Sequence, residues 1–98
     1  MADAHWNLLS YDVRDDTRRR RAAHILEGYG DRVQYSVFRV HGTPRQLMRL
    51  QWELARVLLT VDNLLVIPIP DAVARNIRTL HDSEDWVAEV AKRYAIVG

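Results

Sequence analysis

The sequence contains no cysteine, so no disulfide can staple the fold and no thiolate can hold a metal. A reducing compartment suits such a chain. Lys92 is its only lysine among 14 lysine and arginine residues, and Phe38 is its only phenylalanine. Three prolines and four glycines are too few for a flexible linker or a low-complexity tract, and no internal repeat is present. Long apolar runs are missing too. The longest, Leu64 to Pro70, falls far short of the roughly 20 residues that a bilayer-spanning helix needs. The stretch Met1 to Trp6 lacks the layout of a signal peptide, so the expectation is a cytoplasmic protein with no membrane partner. There is no Gly-rich phosphate loop and no Ser-His-Asp order. His5, His24, His41 and His81 stand at no metal-ligand spacing. The aromatic pairs of an RNA-recognition sheet are absent, because Tyr35 and Phe38 have opposite parity.

What is present is ordinary globular composition, with 48% hydrophobic and 28% charged residues. One domain of this length buries roughly 60–65% of its extended surface, which leaves little margin and makes dimerisation helpful. The net charge of +1 excludes a polycation, but the distribution is uneven. Residues 1–60 carry ten basic and seven acidic side chains, and residues 61–98 carry four and six. Arginine presents a planar fork suited to phosphate. A genome rich in arginine codons would produce the same bias.

Hydrophobic periodicity predicts the elements. His5 to Val13 reads as a strand, with Trp6, Leu8, Ser10 and Asp12 on one face and Asn7, Leu9, Tyr11 and Val13 on the other. Asp15 or Asp16 caps a helix over Thr17–Glu27, whose buried stripe is Ala22, Ile25, Leu26 and Tyr29. Arg32 to Val40 reads as one strand, with room for a further strand over Phe38 to Gly42. Thr43 and Pro44 occupy the favoured cap and first positions of a second helix. Its stripe is Leu47, Leu50, Leu54, Val57, Leu58 and Val61. Leu64 to Ile69 is a strand that Pro68 confines to a sheet edge or a bulge. Beyond it, Asp71–Ala74 reads as a helical turn, Asn76–Leu80 as a short strand, a helix starts at Ser83, and Tyr94–Val97 closes the chain as a strand. The order β-α-β-β-α-β is that of an α+β, ferredoxin-like sandwich: an antiparallel sheet with both helices on one face. Residues 1–80 form this domain, and 81–98 form an extension that packs on it or on a dimer partner. Trp6, Leu8, Phe38 and Val40 are the apolar candidates for the face that the helices leave bare, which calls for a partner.

The chemistry concentrates between Tyr11 and Arg21. Asp12 ends an apolar strand beside a loop. A carboxylate there can hold a hard cation, and Mg²⁺ often takes only one or two carboxylates plus waters. One acid is a weak site, and a second copy about a two-fold axis makes a better one. A turn-capping aspartate is the alternative. Arg18, Arg19, Arg20 and Arg21 run all the way around a helix. They either bind phosphates, with salt-dependent affinity, or form a solvated face paired with Asp15, Asp16 and Glu27.

Together, Tyr11-Asp12-Val13, Asp15 to Arg20, Tyr29-Gly30 and Arg32-Val33-Gln34-Tyr35-Ser36-Val37-Phe38 closely resemble the CRISPR-associated endonuclease two family. That family is the small partner of the spacer-acquisition integrase. Asp62 and the strand after it look like the family's Asp-Ser-Leu-x-Ile-Tyr stretch. The resemblance implies a ferredoxin-like homodimer whose sheets face each other, with Asp12 of both chains holding Mg²⁺ or Mn²⁺. Members are described as metal-dependent phosphodiesterases acting on RNA or DNA, or as non-catalytic bridges between integrase dimers. Tyr11, Asp12, Arg19, Arg21, Arg32 and Phe38 occupy positions matching family functional residues, with Ser36 as a polar neighbour. Asp12 is therefore the expected catalytic and metal residue. Arg18, Arg19, Arg21 and Arg32 are the expected nucleic-acid contacts, and Tyr11, Ser36 and Phe38 their support. The chain departs from the pattern at Arg39, where many members carry Glu, and at Val66-Ile67-Pro68, which replaces Ile-Tyr. It also departs in its tail, where a helix replaces a strand that crosses to the other protomer in many members.

Overall fold

The computed structural model describes residues 3–77. The elements expected from Ser83 onward, and the extension over 81–98, lie outside the described residues. Within them, β1 (His5–Asp12), α1 (Asp16–Glu27), β2 (Gly30–Gln34), β3 (Val37–Gly42), α2 (Pro44–Ala55), β4 (Asn63–Ile69) and a short α3 (Asp71–Arg75) follow in order. The four strands form one antiparallel sheet in the order β2-β3-β1-β4. This is the expected α+β sandwich. β4 lies at an edge, so the missing N–H of Pro68 costs no interior ladder bond.

Both helix starts form as their sequences dictate. Asp15 accepts from the Arg18 N–H at 2.9 Å. Thr43 and Gln46 make a reciprocal capping box, at 3.2 and 2.8 Å, ahead of Pro44. Leu26 and Ala22 of α1 and Leu47, Leu50 and Leu54 of α2 pack against Leu9, Tyr11, Phe38 and Val40 of the sheet. Each buried leucine or phenylalanine of this core contributes about 1.5–3 kcal/mol through apolar burial. Tyr29 ties the helices together by donating to Glu53 at 2.7 Å.

Three expectations are corrected. Arg32 to Val40 is not one strand: the chain reverses at Tyr35-Ser36 and returns as β3. Phe38 and Val40 consequently lie in the core, fully buried or nearly so, opposite Leu9 and Asn7. A bulge between Arg32 and Gln34 breaks the period, so Val33 and Phe38 are both buried, and Ser36 sits in the turn rather than on a strand face. α2 ends at Ala55, and Val61 is 75% exposed instead of extending its stripe. Asn76 caps α3 and neither it nor Ile77 is in a strand.

The other face of the sheet carries Trp6, Leu8, Ser10 and Asp12 of β1 beside Ile69, Ile67, Leu65 and Asn63 of β4. α3 covers one end of it. There Trp6 stacks on His41 at 4.5 Å and donates to Asp71 at 2.9 Å, while Arg39 donates to the Ala74 carbonyl at 2.6 Å.

Candidate functional site

Asp12 is the last residue of β1, and its period-two position puts it on the uncovered face with Leu8 and Ser10. It is exposed, and among the described residues its carboxylate takes part in no hydrogen bond or ion pair. Two recesses flank it. One, of about 370 Å³, is lined by Tyr11, Asp12, Val13, Arg14, Arg19, Tyr35 and Ser36. The other, of about 230 Å³, is lined by Asp12, Arg14, Arg18, Val61, Asp62 and Asn63. The fold thus brings Asp12, Tyr11, Ser36 and Arg19 to one recess and Arg18 to the other.

The arginines are not equivalent. Arg18 makes a two-pronged pair with Asp62, Nε to Oδ2 at 2.9 Å and Nη2 to Oδ1 at 3.1 Å. It thereby ties α1 to the turn before β4. Arg19 turns inward, donating to the carbonyls of Val13 at 3.1 Å and Arg14 at 3.3 Å and pairing with Asp16. Its guanidinium also lies 5.8 Å from the centre of the Tyr35 ring. Arg32 donates to the Tyr35 carbonyl at 2.9 Å, lies over Phe38 at 5.1 Å and faces Glu27 at 3.6 Å. Arg21 is exposed on the outer side of α1. There it lines a groove with Arg20, His24, Ile25 and Val57, away from the recesses beside Asp12.

The remaining site residues build the wall behind Asp12. The Tyr11 N–H donates to the Ser36 carbonyl at 3.0 Å, and the Tyr11 hydroxyl to the Tyr35 carbonyl at 3.2 Å. Burial pushes the Tyr11 hydroxyl pKa above its ordinary value, with Arg32 pulling weakly the other way. It therefore stays a donor at neutral pH. Phe38 packs 6.3 Å from the Tyr11 ring and is fully buried, so it supports the wall from inside.

Sequence reasoning missed the parts played by Tyr35, Arg14 and Asp62. The Tyr35 carbonyl collects both Tyr11 and Arg32, a backbone role that no side-chain motif announces. Arg14 reaches both recesses, and its place two residues after Asp12 was the available signal. Asp62 was visible as part of a family-like stretch, but its pairing with Arg18, 44 residues away, was not.

Comparison with known proteins agrees with this geometry. A family model for "CRISPR associated protein Cas2" matches residues 5–77. The chain is 36% identical over 77 residues to the CRISPR-associated endoribonuclease Cas2 of Thermus thermophilus, covering 76% of this chain and 82% of that one. It is similar to the crystal structure of Streptococcus pyogenes Cas2, with a TM-score of 0.70 and 27% identity, over 78% of this chain and 99% of that one. It is also similar to a chain of a partial Cas6-RT-Cas1–Cas2 complex, with a TM-score of 0.63 and 26% identity, over 80% of this chain and 89% of that one.

Proposed function

This chain belongs to the CRISPR-associated Cas2 family, and from that premise we propose that it is a dimeric, metal-dependent phosphodiesterase of spacer acquisition that cuts RNA or DNA at Asp12. The observation that carries the reading is the Asp12 carboxylate, exposed and unpaired among the described residues at the mouth of two recesses. Its oxygens are the hard donors that Mg²⁺ or Mn²⁺ prefers. The described residues contain no cluster of three or more histidine, aspartate or glutamate side chains, and Asp62, the other carboxylate lining these recesses, is taken up by Arg18, so Asp12 is the carboxylate left for an ion. A second Asp12 is within the logic of the fold. Asp12 shares the uncovered face with Leu65 and Ile67, which are 58% and 39% exposed, and a second copy packed on that face would bring its own Asp12.

When bound there, the cation would polarise a phosphodiester oxygen and lower the pKa of a water. The protein's part is positioning. Asp12 holds the ion. Tyr11, pinned to the hairpin carbonyls, keeps Ser36 beside Asp12. Arg19 fixes the chain after the strand by gripping the Val13 and Arg14 carbonyls. The test is cleavage of labelled RNA and DNA by the wild type and by Asp12→Asn, with Mg²⁺ and with a chelator. The wild type should cut only with metal, and the variant should fall to background with its fold intact. Cleavage that survives both changes would sink the reading.

A second reading is a non-catalytic adaptor that holds DNA and bridges integrase dimers. It is favoured by the exposed Arg20 and Arg21 on α1, and by the likeness to a chain of a partial Cas6-RT-Cas1–Cas2 complex. Spacer integration in cells carrying Asp12→Asn separates the two. Retained integration supports the adaptor, and loss with folding and dimerisation intact counts against it.

A further inference from the structure

We propose that Arg14 is the phosphate-binding cation of the Asp12 site, an inference that rests on the phosphodiester reading above. The resemblance to the family points to Arg18, Arg19, Arg21 and Arg32. The structure engages three of these internally and leaves the fourth, Arg21, on a groove away from both recesses. Arg14 belongs to no family motif, yet it lines both recesses that Asp12 lines.

The local charge balance reaches the same residue. Every other acid near the loop already has an arginine: Asp62 has Arg18, Asp16 has Arg19, and Asp15 caps α1 with Arg18 beside it at 3.8 Å. Arg14 is exposed, and among the described residues its guanidinium makes no hydrogen bond or ion pair; only its carbonyl is used, by Arg19. One unpaired acid and one unpaired base therefore share the mouth of the site. They sit two residues apart, at the end of β1 and just beyond it, at most about 7 Å along the backbone. A phosphodiester with its divalent cation carries both complementary charges. Asp12 takes the cation, and the planar fork of Arg14 takes two phosphate oxygens side by side.

The test uses the full chain with Asp12→Asn as a cleavage-silent background, and measures Kd for a labelled oligonucleotide in chelator between about 50 and 200 mM salt. Adding Arg14→Ala should weaken binding and reduce the slope of log K against log salt by about one. Arg14→Lys should restore the slope, and Arg14→Gln should behave like Ala. Arg39→Ala, which breaks internal bonds to Asp31 and to the Ala74 carbonyl, should lower Tm and leave the slope alone. An unchanged slope in both Arg14→Ala and Arg14→Gln overturns the role of Arg14 while leaving the phosphodiester reading standing. A wild-type chain that binds no oligonucleotide at any salt overturns that reading, and Arg14 with it.

Discussion

Asp62 shows how a charge is kept inside this small fold. Its side chain is only 2% exposed. It accepts two hydrogen bonds from Arg18 and one from the Leu59 N–H at 2.8 Å. Arg18 above all, and then the Leu59 N–H, hold the carboxyl below the usual aspartate range. The consequence for stability has a definite sign. In the unfolded chain Asp62 takes up its proton near its ordinary pKa of about 3.9. In the folded chain it stays ionised to lower pH. Between those two values the unfolded state binds more protons, so the contribution of Asp62 is complete above about pH 4 and fades below it. Asp62→Asn keeps the shape and removes the charge. Urea titrations should show the variant less stable than the wild type at neutral pH, with the gap narrowing as the pH drops below about 4. A gap of constant size down to pH 2 would show that the pair contributes no charge-dependent stability.

At the scale of the element, two starts with similar roles differ in how openly the sequence declares them. α2 was legible because Thr43, Pro44 and Gln46 each carry a local backbone preference, and local preferences survive without a fold around them. Thr43→Ala removes one half of the box, so it should cost about 1 kcal/mol in chemical denaturation and leave the sheet intact. A loss below a few tenths would mean that water replaces the hydroxyl without penalty. A strand over Phe38 to Gly42 was expected and exists as part of β3, but the turn that leads into it was illegible for the opposite reason. Tyr35-Ser36 carries none of the Asn-Gly or Gly-X chemistry that two-residue turns favour, and no described residue has positive φ. The turn is held by side-chain and backbone bonds that no turn motif announces: from outside the hairpin by Tyr11 on β1, and from within it by the Arg32 side chain of β2 on the Tyr35 carbonyl. Misreading it reversed the parity of Phe38 and Val40, and so placed two core residues on the bare face. Asp12 escaped the same error because β1 alternates without a break from Asn7 to Asp12. Gly30 is a further tertiary demand. A Cβ there would run into the Arg39 carbonyl oxygen and come within 2.9 Å of Val40 Cγ2, so β2 and β3 approach too closely for any side chain.

For the whole molecule, the question is what the uncovered face of the sheet meets. Its far end is closed by α3, through Trp6, Asp71 and Arg39. The end nearer Asp12 presents Leu65 and Ile67 to solvent, next to Leu8 and Val37. Isolated apolar side chains on a surface need no explanation, but these four are neighbours on adjoining strands and lie on the face that ends in Asp12. Self-association on this face would join the two features that the proposed site requires: apolar burial, and a second carboxylate. Stable interfaces bury about 800 Å² per partner, with charged groups depleted at the centre. Leu65→Lys puts a charge on each chain at that centre and should shift sedimentation from dimer to monomer. The core of the protomer lies on the other face of the sheet, so far-UV circular dichroism should not change. Metal-dependent cleavage should fall with the dimer and recover at protein concentrations high enough to restore it. A monomeric Leu65→Lys that cleaves like the wild type would show that one Asp12 suffices. A dimer that persists would move the interface off this face, and the proposed meeting of the two aspartates with it.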